Sequence, residues 1–400
     1  MYRPDTLALT GLLAFLSAVG PISTDIFLPS LPVMRAAFDT DLSRVQLTLS
    51  IFTFGFAVGQ IAFGPLSDRL GRKPVLTVTL IVYLLGSFVC VFAPDIRVML
   101  AGRLLQAIGA AGPIVLARSM VRDLYEGRRA AQELGRMGLI TGIVPSLAPL
   151  LGGVLEMVAG WRASFAAMAI FGALALVGTQ LRLPETLRRR LAEPFTFAAV
   201  FGGFGLMLKN RAFVVAMISM ALGFAGIFAF ISGSSFVLQE TYGLGEIAYG
   251  VSFGAGAAML WTGNLVSQWA VPRYGVTRVL AVASLFTLVG GLAMVVAVEA
   301  LPGLVGRPTA LAVVVPYMVF MLGVGPVLPL STLQALQPFP DRAGTAASLL
   351  GCVQLSFGAL VGFGVGLWLE VLPDAVPLAL TIALAGSGVA VAQWYGRRPA

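Results

Sequence analysis

The chain has 400 residues, of which 58% are hydrophobic and only 11% are charged. Soluble domains carry about 25% charged residues, so this composition excludes a water-soluble globular protein. The formal net charge of +8 would suggest nucleic-acid binding in a soluble chain. Here the basic residues lie between apolar segments, where they set membrane orientation instead, and we expect no nucleic-acid partner.

The chain contains no histidine and only two cysteines, Cys90 and Cys352. Each cysteine lies inside an apolar run, and a free cysteine is most often a small buried apolar residue. The usual ligands of zinc and haem are therefore missing, and we expect neither a metal nor another cofactor. No nucleophile with a neighbouring base is visible, so we expect no enzymatic activity.

Twelve segments meet or nearly meet the requirement for crossing a bilayer, which is about 20 mostly apolar residues. They comprise residues 6–34, 45–63, 75–94, 98–117, 137–155, 163–181, 212–239, 247–271, 279–298, 308–340, 343–369 and 375–396. The first is too long for the apolar part of a signal peptide and contains Asp25 and Pro29, so we expect it to stay in the mature protein. The sequence thus predicts an all-α polytopic membrane protein with twelve transmembrane helices.

The loops between these segments are asymmetric in charge. Most of the 26 Lys and Arg residues fall on the side that also holds both termini, which the positive-inside rule assigns to the cytoplasm. The longest loop on that side, residues 182–211, separates a six-helix bundle of residues 1–181 from a second one of residues 212–400. We interpret Leu183-Pro184-Glu185-Thr186 as a helix end followed by a surface linker, and we expect residues 195–208 to form a short helix along the membrane surface.

The two halves show a faint internal repeat. At an offset of 204 residues, the segment after the second span matches the segment after the eighth at four positions, among them Arg69 with Arg273 and Gly71 with Gly275. Transporters built from two six-helix bundles show such internal symmetry.

Two ionisable residues, Asp25 and Arg103, lie well inside the predicted spans. A charge at the centre of a bilayer costs at least about 2.5–3.5 kcal/mol, so both need an explanation. Counted at about 1.5 Å per residue, they lie at a similar depth and either face one cavity or form an ion pair. One interpretation is a pair that only fixes the helices. The other is proton transport, because burial favours the neutral carboxyl group and a nearby cation favours the carboxylate.

Other residues inside the spans have a packing interpretation. Gln106 follows Arg103 by three residues and shares its helix face, and such amides commonly hydrogen-bond between helices. The small-xxx-small spacing, which lets helices approach closely, occurs at Gly55/Gly59, Gly138/Gly142 and Gly358/Gly362/Gly366.

Four motifs carry a family resemblance. They are Gly64-Pro-Leu-Ser-Asp68-Arg69-Leu-Gly71-Arg72-Lys73 after span 2, Leu100-Ala-Gly-Arg103-Leu-Leu-Gln106-Ala-Ile-Gly109 in span 4, Ala148-Pro149-Leu-Leu-Gly152-Gly153 in span 5, and Thr24-Asp25-Ile-Phe27-Leu-Pro29-Ser-Leu-Pro32 in span 1. They resemble motifs of the major facilitator superfamily, and within it of the Bcr/CflA (bicyclomycin/chloramphenicol resistance) branch of twelve-span drug:proton antiporters. Two departures are Ala148 in place of a glycine and Phe27 in place of a tyrosine. Residues 344–360 also resemble span 11 of that branch.

The resemblance implies roles for these residues. Asp68 would lie near the start of span 11, while Arg69, Arg72 and Lys73 would help to hold an inner gate closed. Arg103 would take part in proton coupling, with Asp25 as the main proton-binding carboxylate. In span 5, the motif that includes Pro149, Gly152 and Gly153 would bend the helix and pack it tightly against a neighbour.

We therefore expect a proton-coupled secondary transporter that exports small amphipathic drugs by alternating access, as a monomer in the bacterial inner membrane. Its expected partners are the small-molecule substrate, protons and the lipid bilayer. Phe27, Gln106, Asn264 and Gln354 are candidate residues of the substrate cavity. An apolar cavity with one acid and one base suits neutral or weakly charged compounds such as phenicol- or bicyclomycin-like drugs.

Other functions share this fold, because a fold does not determine a function. The main alternative is a proton-coupled exporter or importer of an endogenous metabolite. A sensor that has lost transport is a further alternative, but it would predict decay of the loop from Gly64 to Val75, and that loop is intact.

Overall fold

The computed structural model describes residues 7–125, 127–187, 204–305, 309–339 and 343–396. Within these ranges we label thirteen α-helices, and no strand is present. They are α1 (Leu7–Asp25), α2 (Leu31–Ala37), α3 (Leu42–Leu70), α4 (Arg72–Val91), α5 (Ile96–Leu124), α6 (Gly127–Ala159), α7 (Trp161–Arg182), α8 (Arg211–Ser235), α9 (Glu246–Tyr274), α10 (Val276–Val305), α11 (Leu311–Leu336), α12 (Ala343–Val371) and α13 (Val376–Gly396). The all-α prediction is confirmed.

Eleven helical segments in the described part of the chain are long and apolar enough to cross a membrane. The first of them runs through α1 and α2 together, and the helix α9 is the one predicted span outside this set. The helix α9 is 29 residues long, but polar residues such as Asn264 and Gln268 make it less apolar. With α9 included, the helices account for the twelve predicted spans.

The first span is not one continuous helix, which corrects the prediction for residues 6–34. The helix α1 ends at Asp25, and a short 3-10 turn at Leu28–Ser30 separates it from α2. Pro29 and Pro32 lie in this region; proline has no N–H to donate and keeps the preceding residue away from helical geometry. Asp25 therefore lies at a break between two helices rather than in the middle of one.

The chain divides into two compact units, with Met1–Thr40 and Leu47–Phe195 in the first and Asp41–Gln46 and Thr196–Ala400 in the second. The boundary at residue 195 falls between α7 and α8. Helix packing repeats from one unit to the other: α1 packs on α6 as α8 packs on α12, and α4 packs on α5 and α7 as α10 packs on α11 and α13.

The predicted sequence repeat has a conformational counterpart. Gly71 connects α3 to α4 with φ of 107°, and Gly275 connects α9 to α10 with φ of 78°. Both values lie in the region that residues with a side chain rarely adopt. The same sharp connection thus occurs at the same place in both units.

The start of the predicted linker is packed against the first unit, so the interpretation of Leu183–Thr186 as a surface linker is wrong for Leu183 and Thr186, while Glu185 is exposed. The helix α7 ends at Arg182, but Leu183 is fully buried in an apolar cluster with residues of α1, α4 and α5. Thr186 is also buried, and its hydroxyl donates to Asp123 Oδ2 over 3.0 Å. Of the predicted surface helix at residues 195–208, residues 204–208 are helical and the remainder lies outside the described residues.

Two of the three glycine patterns pack as predicted. An added Cβ at Gly55 or Gly59 would meet side chains of α5, and one at Gly358 or Gly362 would meet α8. Gly138 differs, because nothing lies within 4 Å of its added Cβ. The prediction that Gly138 packs against another helix is wrong.

Candidate functional site around Asp25 and Arg103

Arg103 of α5 is fully buried in the first unit and is held by hydrogen bonds to α1, to α3 and to its own helix. Its Nη1 donates to the Ser23 carbonyl of α1 over 3.0 Å and to Gln106 Oε1 over 2.6 Å. Its Nε donates to the Thr48 carbonyl of α3 over 3.2 Å. Its Nη2 has no hydrogen-bond acceptor among the described residues. The cation therefore binds neutral oxygen atoms.

Aromatic rings cover the guanidinium group of Arg103. The guanidinium carbon lies 4.4 Å from the ring centroid of Phe27 and 4.3 Å from that of Phe52. Phe165 lies farther away, at 5.8 Å. An aromatic face within about 6 Å attracts a cation, and the attraction strengthens when the cation is desolvated. The rings thus offset part of the cost of burying this charge.

Gln106 extends the network from Arg103 to neighbouring helices. Its Nε2 donates to Ser87 Oγ of α4 over 2.8 Å and to the Met168 sulfur of α7 over 3.3 Å. The Tyr83 hydroxyl of α4 forms a further hydrogen bond of 2.8 Å with Ser23 Oγ. The predicted packing role of Gln106 agrees with these contacts.

Asp25 is the last residue of α1 and is buried, with 4% of its surface exposed. It forms no ion pair with Arg103, because the ion pairs of the described residues include neither side chain. Arg103 instead binds the carbonyl of Ser23, two residues before Asp25. The two charged groups are thus connected through the backbone at the helix break rather than by direct contact.

The span 5 motif packs against that same break. Gly152 of α6 lies so close to the Ile26 carbonyl oxygen that an added Cβ would overlap it. The Ser164 hydroxyl of α7 donates to the same oxygen over 3.4 Å. Pro149 and Gly153 are buried on the same helix. This motif therefore packs against the carbonyl of Ile26, the residue that follows Asp25.

Asp68 and Arg72, two of the predicted gate residues, belong to a charged cluster at the turn between α3 and α4. Arg72 Nη1 lies 2.6 Å from Asp68 Oδ1, and Arg72 Nε lies 3.0 Å from Asp123 Oδ2 of α5. Arg72 Nη1 also donates to Ser67 Oγ over 2.6 Å. Arg69 is exposed, and Gly64 is partly buried within α3.

Glu185, which follows α7 in the linker, binds the backbone of this cluster. Its two carboxylate oxygens accept from the backbone N–H groups of Arg72, over 3.0 Å, and Lys73, over 3.1 Å. A carboxylate in this position satisfies free N–H groups at the start of α4 and interacts favourably with the helix dipole. The Lys73 ammonium group donates to the carbonyls of Gln180 and Leu183. Glu185 was not predicted as part of the gate.

The four candidate cavity residues do not come together in one unit. Phe27 and Gln106 are fully buried beside Arg103 in the first unit. Asn264 on α9 and Gln354 on α12 belong to the second unit, and both are partly exposed.

The chemistry that this site offers is binding and proton transfer. Within the described ranges no group of histidine, cysteine or acidic side chains could hold a metal ion. Asp25 supplies a buried titratable oxygen, and Arg103 a cation whose protein ligands are neutral.

Comparisons with known proteins identify the family to which the chain belongs. The Major Facilitator Superfamily model matches residues 13–363. The bicyclomycin resistance protein homolog of Haemophilus influenzae is 28% identical over 351 residues, which cover 88% of this chain and 86% of that protein. The chloramphenicol resistance protein of Pseudomonas aeruginosa is 29% identical over 364 residues, with 90% and 83% covered.

A solved structure shows the same fold. The crystal structure of a D-xylose-proton symporter superposes with a TM-score of 0.79, covering 98% of this chain and 97% of the symporter. The two chains are only 14% identical, so the similarity concerns the fold and not the substrate.

Proposed function

Since the chain belongs to the Major Facilitator Superfamily, a family of transporters and not of enzymes, we propose that it exports small amphipathic drugs in exchange for protons by alternating access. The chain is a multi-pass membrane protein. Its similarity to proteins named for bicyclomycin and chloramphenicol resistance supports drugs of these classes as substrates.

The observation that carries the proposal is the buried Asp25 at the break after α1. A charged carboxylate at membrane depth costs at least about 2.5–3.5 kcal/mol, and no arginine or lysine forms an ion pair with Asp25 in the described chain. Its protonated form is therefore favoured while it stays buried. Exposure to water, or the approach of a cation, favours release of the proton.

Arg103 contributes by holding the backbone beside Asp25. Arg103 donates a hydrogen bond to the Ser23 carbonyl, two residues before Asp25. Gly152 contacts the Ile26 carbonyl, one residue after Asp25. A shift of α5 or α6 during transport would move this backbone and change the surroundings of Asp25. Proton release would then be coupled to the conformational change.

The orientation and the assembly form part of the same proposal. The excess of Lys and Arg on one side supports cytoplasmic termini, since cytoplasmic loops carry that excess. We assign the protein to the bacterial inner membrane as a monomer. The turn between α3 and α4 then lies on the cytoplasmic side, where the cluster around Arg72 acts as the gate.

The test is drug transport by the purified protein in liposomes. A pH jump should drive accumulation of chloramphenicol or bicyclomycin, and an equal sodium gradient with the proton gradient collapsed should not. Equal transport in the sodium gradient would reject proton coupling. A susceptibility panel in an efflux-deficient host would identify the drug class, and an unchanged panel with proton-driven uptake of a metabolite would favour the metabolite alternative.

A further inference from the structure

A second polar site lies in a cavity inside the first unit, and Asp25 is not among the residues that line it. The cavity has a volume of about 450 Å³ and lies between α1, α5 and α6. Known pockets for small ligands measure about 300–1,000 Å³. Arg118 and Arg122 of α5 line it together with Ser17 of α1 and Thr141 of α6. Its walls are otherwise mostly apolar.

Arg118 and Arg122 project from the same face of α5. They are four residues apart, which places their side chains as neighbours one helical turn apart. Both are exposed, and like charges at this spacing on a helix repel each other. Neither forms a hydrogen bond or an ion pair with the residues that the structure describes. Such a pair is destabilising unless an anion lies between the two groups.

The nearby carboxylates already have other partners. Glu133 is buried, and it accepts from the Thr10 hydroxyl over 2.6 Å and pairs with Arg136 over 2.8 Å. Asp123, which follows Arg122, pairs with Arg72 of the gate cluster over 3.0 Å. The described carboxylates next to this cavity therefore do not neutralise its two arginines.

We propose that this cavity binds a small organic anion, whose carboxylate, sulfonate or phosphate group bridges Arg118 and Arg122 while its apolar part contacts the walls. Arginine is the side chain best suited to this task, because its planar donors match the oxygens of such groups. The inference rests on the proposed function and adds that the exported compounds include amphipathic anions. It departs from the expectation of neutral substrates.

Gly138 offers a way to close the cavity without disturbing the fold. It lines the cavity, and nothing lies within 4 Å of an added Cβ. The change Gly138→Leu therefore places a side chain into the cavity space. Arg97, in the first turn of α5 and exposed, does not line the cavity and is the matched control for removal of an arginine.

The test measures binding of naphthalene-2-sulfonate to the full-length protein in phosphatidylcholine nanodiscs, with neutral naphthalene-2-sulfonamide as the matched probe. We expect the sulfonate to bind at least about tenfold more tightly than the sulfonamide, since hydrogen bonds to charged groups are the stronger ones. Arg118→Gln and Arg122→Gln should each weaken sulfonate binding by about tenfold, and Arg97→Gln should not. Gly138→Leu should weaken binding of both probes.

Several results would overturn the inference. Equal affinity for the two probes, or unchanged sulfonate binding in both arginine variants, would do so. If an arginine variant does not give monodisperse protein, Gly138→Leu decides, and full sulfonate binding in that variant rejects the cavity. A further arm uses nanodiscs with phosphatidylglycerol. Stabilisation by this lipid that depends on Arg118, with no sulfonate binding in phosphatidylcholine, would assign the site to a lipid phosphate instead.

Binding and transport are measured separately, so the two proposals fail in different ways. Sulfonate binding that depends on Arg118, without proton-driven transport of any compound, would remove the proposed export and keep the anion site. Proton-driven chloramphenicol export without any preference for the anionic probe would keep the export and remove the anion site.

Discussion

Gly152 of α6 lies against the carbonyl oxygen of Ile26, the residue that follows the buried Asp25. Because a methyl group there would overlap a backbone atom, Gly152→Ala must move either α6 or the helix break. We expect a stability loss of about 1–3 kcal/mol, as is usual for overpacking, together with loss of proton-driven export. Thermal unfolding and liposome transport measure the two effects.

Gly11→Ala is the matched control for this prediction. Gly11 lies on α1, is exposed, and has no atom within 4 Å of an added Cβ. Replacing a helical glycine by alanine at an open site should leave stability unchanged or raise it by up to about 1 kcal/mol. Equal transport in Gly152→Ala and Gly11→Ala would show that the contact with Ile26 is dispensable.

The second prediction concerns Asp25→Asn and rests on the absence of an ion pair between Asp25 and Arg103. Removing one partner of a buried ion pair costs about 3–5 kcal/mol. Since Arg103 is held by neutral oxygens instead, Asp25→Asn should lower stability by well under that amount. Drug binding should survive, because asparagine resembles the protonated acid, whereas drug accumulation driven by a pH gradient should vanish.

The double variant Asp25→Asn with Arg103→Gln tests the same point independently. If the two residues were coupled only structurally, the double variant would be more stable than Asp25→Asn alone. We expect it to be less stable, because it also loses the hydrogen bonds of Arg103. Proton-driven export in either variant would contradict a proton-carrying role of Asp25.

Arg103→Lys is expected to be damaging although it keeps the charge. A lysine ammonium group has no planar fork, so it cannot reproduce the bonds to the Ser23 and Thr48 carbonyls together with the stacking on Phe27. Losing hydrogen bonds to a buried charged group costs about 1.5–3 kcal/mol each. Thermal unfolding should show this loss, and Arg97→Lys, at an exposed site, should not.

The sequence was sufficient to predict the all-α fold, and it singled out the two residues at the centre of the candidate site. Charged residues are so rare inside spans that Asp25 and Arg103 stand out, and Gln106 follows from its helical spacing. The break after Asp25 was missed, because an apolar segment has the same composition whether its helix is continuous or interrupted. Pro29 was the available signal.

Partners that are distant in sequence could not be predicted. Ser23, Tyr83 and Ser87 are neutral hydroxyl residues of a kind found in many spans. Only the packing of α1, α4 and α5 brings Ser87 to Gln106 and Ser23 to Tyr83. Glu185 lies 113 positions after Arg72, the residue whose N–H it binds. Nothing in an ordinary linker composition indicates that its carboxylate closes the turn between α3 and α4.

The last prediction uses the repeated glycines to separate backbone strain from loss of the Glu185 contact. Gly71 and Gly275 both have positive φ, and alanine in that region costs about 1–2 kcal/mol. An added Cβ at Gly71 would in addition lie 2.8 Å from the Glu185 carboxylate, whereas one at Gly275 has nothing within 4 Å. Gly71→Ala should therefore lower drug flux more than Gly275→Ala, with drug affinity unchanged in both, because neither glycine belongs to the proposed binding residues.

Asp68→Asn, which weakens the pair with Arg72, should resemble Gly71→Ala in lowering flux without lowering affinity. Equal flux in the two glycine variants would show that the contact with Glu185 has no part in gating, and a loss of drug affinity at normal flux would show that the turn is not a gate.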